Sequence, residues 1–218
     1  MPAVFHCSHC QQSFKVDSLI RDDLSCSVCH GKDTALVTGR EYHVKSMEWA
    51  DQAPEVPGEW FLHFSHLHGV RHTQRVHIHS RRLACLLEWP AADPHLLLKA
   101  ALWHDIGRYH DGFEPEHGGN SVLRARELGL TQSLSAADTA LVKFAMRQHS
   151  LEDARSERAA GAEDEPQRAL RILYLLKDAD ALDRVRLPAF EWPRVELLHH
   201  RCAVDSLEFA HGLLGALG

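Results

Sequence analysis

Apolar residues follow two rhythms along this chain. Near the start the period is two: Ser13-Phe14-Lys15-Val16 alternates, and Thr34-Ala35-Leu36-Val37-Thr38 follows, which predicts two short strands. From Phe61 onward the period is helical. Val70 to Trp89 carries apolar residues at Val76, Leu83, Leu86 and Leu87 and is closed by Pro90. Asp93 or Pro94 opens a helix through Leu96–Leu98 and Trp103 into His104-Asp105, with Gly107 just past it. A further helix spans about Gly118 to Leu128 before Gly129, and Ser135 is an N-cap for one over Ala136 to Gln148. Residues 152–165 (EDARSERAAGAEDE) are polar and predict a mobile loop, a candidate lid. Pro166 suits the first turn of a helix reaching Leu182, and a last helical segment fills much of 192–214.

These rhythms divide the chain into a β unit over 1–40, a connector over 41–60 broken by Pro54, Pro57 and Gly58, and a helical unit over 61–218. There is no internal repeat. The expected fold class is mostly α, a helical bundle preceded by a small β unit.

Composition changes this picture in one respect. At 218 residues, 44% hydrophobic and 25% charged, the chain is an ordinary globular protein, but it holds 18 histidines. Imidazole is the commonest metal ligand, so metal chemistry is favoured. The net charge of −6 is spread evenly, with five Lys/Arg against eight Asp/Glu in 1–57 and nineteen against twenty-two in the rest. Neither part has the basic footprint of tight nucleic-acid binding. The opening MPAVFHCSHC lacks the basic and apolar regions of a secretory leader, and the longest apolar runs are too short to span a bilayer. A cytoplasmic location with no membrane partner is expected, in keeping with paired cysteines in a reducing compartment.

Those pairs are Cys7-x-x-Cys10 and Cys26-x-x-Cys29, fifteen residues apart. Two such knuckles supply four thiolates to a tetrahedral zinc with no open position, and a unit this small needs a metal to be stable. Gly31 suits the turn of the second knuckle. Cys26-Ser27-Val28-Cys29-His30 also matches a haem-attachment pattern, but that reading needs export and leaves Cys7 and Cys10 unexplained. The expected zinc is therefore structural, and the ribbon reads as a support or as a surface for a protein contact. Cys85 and Cys202 read as small core residues.

Four further segments carry chemistry: His68-Gly69-Val70-Arg71-His72-Thr73-Gln74-Arg75-Val76; Ala101-Leu102-Trp103-His104-Asp105-Ile106-Gly107; Arg147-Gln148-His149-Ser150; and Leu176-Lys177-Asp178-Ala179-Asp180-Ala181-Leu182-Asp183. In their H…HD…D order, with HxxRV in front and KDADxLD behind, residues 61–190 resemble the HD-domain superfamily of metal-dependent phosphohydrolases. The resemblance implies an HD-domain bundle behind the zinc ribbon, with His72, His104, Asp105 and Asp180 as ligands of a divalent metal. Adjacent helical residues point about 100° apart, so His104 and Asp105 on one helix would reach a metal from different angles. Asp178 reads as a supporting or solvent-facing residue. His117 and His149 resemble the positions that hold a second ion in dinuclear members, although Gln148-His149 stands where those members often have a His pair. The centre thus takes one or two ions of Mn, Fe, Co, Ni or Zn.

For the reaction, the resemblance implies attack by a metal-activated hydroxide at phosphorus. His104 and Asp105 form the catalytic pair, and Asp105 orients or bridges the nucleophile. Arg75, Arg108 and Lys177 are candidate substrate-binding cations, while Arg184 reads as a surface charge. His68 is an intermediate case, because HGxxHxxRV recurs in some relatives. The remaining histidines, including His63, His66, His77, His79, His199 and His200, read as surface or packing residues. The chain lacks the GYP extension of cyclic-dinucleotide phosphodiesterases and the acidic pair of stringent-response hydrolases. A nucleotide or other small phosphate is the expected substrate. The competing readings are a nuclease on single-stranded nucleic acid, a di-iron oxygenase with six ligands in the same order, and a nucleotide-sensing regulator.

Overall fold

The computed structural model describes residues 3–16, 25–38, 49, 52–90 and 92–217. Half of the connector expected over 41–60, residues 41–48, 50 and 51, lies outside these residues. Among the described residues, no helix is long and apolar enough to cross a membrane.

The N-terminal unit is a three-stranded antiparallel sheet in the order β2-β1-β3, with β1 Ala3–Cys7, β2 Ser13–Val16 and β3 Thr34–Thr38. Both sequence-derived strands are present. The central strand β1 was not anticipated, because AVFHC is too short to display a period. Phe5 pairs with Phe14 across the ladder, their rings stacked at 5.9 Å, and these two residues with Cys7 and Cys26 make the buried centre of the unit. The two knuckles have the same backbone pattern. Cys7 N–H donates to Gln12 O and Gln11 N–H to Cys7 O, while Cys26 N–H donates to Gly31 O and His30 N–H to Cys26 O. In each, the residue after the second cysteine, Gln11 or His30, takes the left-handed conformation. The turn expected of Gly31 is thus made by His30.

The helical unit consists of α1 Val70–Leu86, α2 Ala92–Trp103, α3 His117–Glu127, α4 Ala136–Gln148, α5 Asp153–Ala160, α6 Pro166–Leu182, α7 Arg201–Val204 and α8 Leu207–Leu217. Leu96, Leu97, Ala100 and Ala101 of α2 are all buried, so this helix lies in the core with apolar residues on several sides. Val76 and Leu83 from α1, Val142 and Met146 from α4, and Leu173, Leu176 and Ala179 from α6 pack into the same cluster. Ser135 caps α4 by accepting from Asp138 N–H, and Pro166 opens α6, both as the sequence predicts. Arg124 of α3 donates to the carbonyls of Trp60 and Glu59, and Gln74 donates to Pro54 O, which ties 54–60 to the helices.

Three expectations require correction. First, residues 153–160 of the supposed mobile loop form α5. Ser156 and Ala160, four apart, are its buried seam. Small side chains at one face leave little apolar signal, and the helix is held instead by polar anchors from α6. Second, the C-terminal segment is not one helix. It comprises short 3-10 turns at Ala189–Glu191 and Val195–Leu197, then α7 and α8. Pro193 and the diversion of the His199 and His200 N–H groups to the Asp178 carboxylate break it. Third, Cys85 is exposed on α1, so it is not a core residue.

Candidate metal centre

α2 ends at Trp103, so His104 and Asp105 stand in the turn that follows it, not on the helix as expected. Gly107 fixes that turn. Its N–H donates to Ser121 Oγ of α3, and a Cβ there would fall 2.1 Å from Ser121 N. Gly118 does the same one helix on, since its missing Cβ would lie 2.2 Å from Met146 O. These close approaches bring His117 at the start of α3 against His149 at the end of α4.

From α1 comes His72, and from α6 Asp180. His72 Nδ1 donates to Asp183 Oδ2 at 2.7 Å, His104 Nδ1 to Ala101 O at 2.8 Å, and His149 Nδ1 to Met146 O at 2.7 Å. A carbonyl only accepts, so His104 and His149 carry their proton on Nδ1 and turn a lone pair inward on Nε2. The inward nitrogens meet in two pairs: His72 Nε2 lies 3.1 Å from His104 Nε2, and His117 Nε2 lies 2.8 Å from His149 Nε2.

Asp105 sits between the pairs and divides its oxygens. Oδ2 faces His68 at 3.2 Å, His72 at 3.5 Å and His104 at 3.8 Å, while Oδ1 faces His117 at 2.9 Å and His149 at 3.6 Å. Asp180 Oδ1 is 3.3 Å from His72 Nε2 and 3.9 Å from His104 Nε2. Despite its neighbours, the buried Asp105 Oδ1 has no hydrogen bond. The candidate donor atoms fall into overlapping sets within 4.8 Å: His68, His72 and Asp105; His72, His104 and Asp180; and His104, Asp105 and His149. Converging imidazole lone pairs and an orphaned carboxylate oxygen repel one another unless a cation lies among them. The residues therefore fit a divalent ion with mixed nitrogen and oxygen ligands.

The electrostatics agree. Burial and Arg186 disfavour a charged His72, but Asp105, Asp180 and Asp183 outweigh them and raise its pKa to about 10. His104, backed by a carbonyl instead of a carboxylate, is pushed by burial down to about 4 against the pull of Asp105. Burial works against ionised Asp105 and Asp180, yet the surrounding imidazoles hold both carboxyls well below the usual range. Positive charge is thus favoured at the point where His72, Asp105 and Asp180 meet.

Two residues complete the arrangement: Asp183, quoted in the KDADxLD motif but given no role by the sequence reading, and His68, its intermediate case. Asp183 takes the His72 Nδ1 proton and two hydrogen bonds from Arg75, and Arg186 lies 3.3 Å away, so it fixes the direction in which His72 aims Nε2. It closes the KDADxLD motif, but its partner His72 lies 111 residues away along the chain, so the motif does not reveal this role. His68 reaches Asp105 from a loop whose Leu67 and His68 N–H groups both donate to Ser65 Oγ. Ser65 in turn donates to the Asp111 carboxylate.

The three candidate cations have different surroundings. Arg108 is buried beside the centre with Nη1 2.8 Å from His117 Nδ1, donates to Gly112 O, and leaves Nε without a partner. Arg75 is occupied by Asp183. Lys177 points away, donating to Leu151 O and pairing with Asp153 Oδ1, both at 2.6 Å. It holds α5 on α6. The centre opens into a cleft of about 590 Å³ whose lining includes His68, Asp105, Arg108, Phe113, Asp180 and Leu187. Leu187, Pro188 and Glu191, from the segment 187–198, form part of one wall. That segment leaves α6 beside Asp183 and returns to it at Asp178, whose carboxylate accepts the N–H and Nδ1–H of both His199 and His200.

In the β unit, Cys7 Sγ lies 3.6 Å from Cys29 Sγ and Cys10 Sγ 3.6 Å from Cys26 Sγ, and all four sulfurs lie within 4.8 Å of one another. The set fits a zinc ribbon.

A protein-family model described as HD domain matches residues 69–185, a little over half of the chain. No curated protein and no solved structure matches it.

Proposed function

Since this chain belongs to the HD-domain family, a superfamily of metal-dependent phosphohydrolases, we propose that it hydrolyses a phosphoester of a small phosphorylated molecule, a nucleotide first, at the His72–His104–Asp105–Asp180 centre. The observation that carries this reading is the division of Asp105, with one oxygen toward each pair of imidazoles. It supports two ions, one among His72, His104, Asp105 and Asp180 and one among Asp105, His117 and His149.

Divalent ions of Mn, Fe, Co, Ni or Zn supply a water acidified to a pKa near 7 and a Lewis acid for the phosphoryl oxygens. The chain supplies everything else. Asp105, at the junction, orients the attacking oxygen. Arg108, with its free Nε, balances the charge that grows on the phosphoryl group. In the reaction, water oxygen bonds to phosphorus, the ester P–O bond breaks, and the leaving oxygen takes up a proton. The cleft volume is of the size that small ligands occupy. All six cysteines are free, which favours a reducing cytoplasmic setting. The ribbon, closed on itself, has a supporting or contact role.

The test is elemental analysis together with a hydrolysis screen over nucleotides, dinucleotides and short oligonucleotides, with Mn, Co, Ni or Mg supplied. The expected result is about two ions beyond the ribbon zinc and turnover that Asp105→Ala lowers by about 10³-fold or more. No turnover on any phosphoester, or full turnover by Asp105→Ala, sinks the proposal. The six-residue set His72, His104, Asp105, His117, His149 and Asp180 favours one second reading, an oxygen-using di-iron centre. Oxygen-dependent turnover with two irons bound decides for it.

A further inference from the structure

Beside the catalytic cleft lies a second cavity of about 500 Å³, and the two share Leu67 and Arg186 as a common wall. Nothing in the proposed hydrolysis uses it. Its lining includes the apolar residues Phe61, Phe64, Val70 and Leu214. Phe64 is 81% exposed, and its ring meets His66 edge-on at 4.9 Å. Three arginines line the space, and they are not equivalent. Arg75 and Arg186 are both paired with Asp183. Arg71, exposed at the start of α1, has no hydrogen bond or ion pair among the described residues. One uncommitted guanidinium beside an exposed aromatic face recognises a planar ring that carries a phosphate, by stacking and by charge-assisted hydrogen bonds.

Resting on the hydrolase reading, we propose that this cavity holds the second nucleoside unit of a linear dinucleotide whose phosphodiester lies in the cleft. The ring stands against Phe64, and the terminal phosphate meets Arg71. The net charge of −6 and the single uncommitted arginine fit a ligand that ends there, in contrast to a long polyanion.

The probes are AMP, linear diadenylate and its non-hydrolysed phosphorothioate analogue, with the full chain loaded with Mn. The analogue is expected to bind about tenfold more tightly than AMP, as one stacked base and one phosphate contact provide. Arg71→Glu and Phe64→Ala each remove most of that gain, leave AMP affinity within about twofold, and raise KM for diadenylate while kcat holds. Both positions are exposed, so the variants fold. Equal affinity of wild type for AMP and the analogue, or an unchanged gain in both variants, overturns the assignment. A further tenfold gain with a hexanucleotide also overturns it, since the ligand would then continue past Arg71. If the hydrolase reading fails instead, neither ester turns over while the binding difference remains. If only the cavity assignment fails, turnover persists without the difference.

Discussion

At the ribbon, four sulfurs approach one another from two identical knuckles and leave no direction open. At the helical centre, imidazoles and carboxylates arrive from α1, the turn after α2, α3, α4 and α6 and leave one side facing a cleft. The first arrangement is local: its ligands lie within 23 residues, and the backbone of each knuckle repeats the same two hydrogen bonds. The second spans 109 positions from His72 to Asp180 and depends on packing to hold its geometry. A metal at the ribbon stabilises a fold too small to stand alone, whereas a metal at the helical centre enters a bundle that already has its own core. The chain therefore separates metal for folding from metal for chemistry, and each can be disturbed with the other intact.

The largest expected effect is at the ribbon. Cys26→Ser removes one of four thiolates and should release about one zinc, whose binding contributes ~10 kcal/mol of folding free energy in units of this kind. Elemental analysis and amide exchange should show loss of zinc and of protection in 3–38, with hydrolysis kept within about twofold. A fall in hydrolysis as steep as the loss of protection breaks the separation.

Next in size is an imidazole outside both centres. His79 is fully buried with neither nitrogen partnered, against Phe209 of α8, and burial pushes its pKa from 6.5 down to about 4, with Arg75, Arg82 and His72 adding to the effect and Asp183 opposing it. The folded pKa is depressed, so the unfolded chain binds the proton first. Stability is lost as pH falls from about 6.5 toward 4, by ~3 kcal/mol at the low end. Denaturant titrations of wild type and His79→Phe across that range should differ in slope, and parallel curves count against it.

Asp183→Asn keeps the shape of the side chain but removes the charge that orients His72. Metal affinity at the helical centre should fall by about 10–100-fold, read by competition with a chelating dye, while ribbon zinc stays. The smallest effect is at Lys177. Because it anchors α5 by Leu151 O and Asp153, Lys177→Met should cost ~1–2 kcal/mol of stability and leave KM unchanged. A large rise in KM with unchanged melting would instead return Lys177 to the substrate.

What the sequence shows follows from how far each signal travels along the chain. Ser135, Pro166 and Gly129 mark helix ends through interactions with their own neighbours, and the structure puts α4 and α6 where those marks stand. The two strands and the cysteine knuckles are legible for the same reason. The role of Asp183 in orienting His72 is not, because it is defined across 111 positions. Nor is α5, where a seam of one serine and one alanine carries no hydrophobic period. His104 and Asp105 were found by motif, but their place in a turn depends on Gly107 meeting α3, a contact no local pattern contains.

The segment 187–198, which gives Leu187, Pro188 and Glu191 to the cleft wall, leaves and rejoins the C-terminal end of α6, pinned near Asp183 and by Asp178 on either side of Asp180. Its two feet are close together, and closing such a span costs little more when residues are added, since the entropy grows only with the logarithm of length. The wall is thus the part of the molecule that tolerates lengthening, shortening or exchange without shifting Asp180. A change of substrate preference can be made there by altering this one span, with the reactive centre left in place.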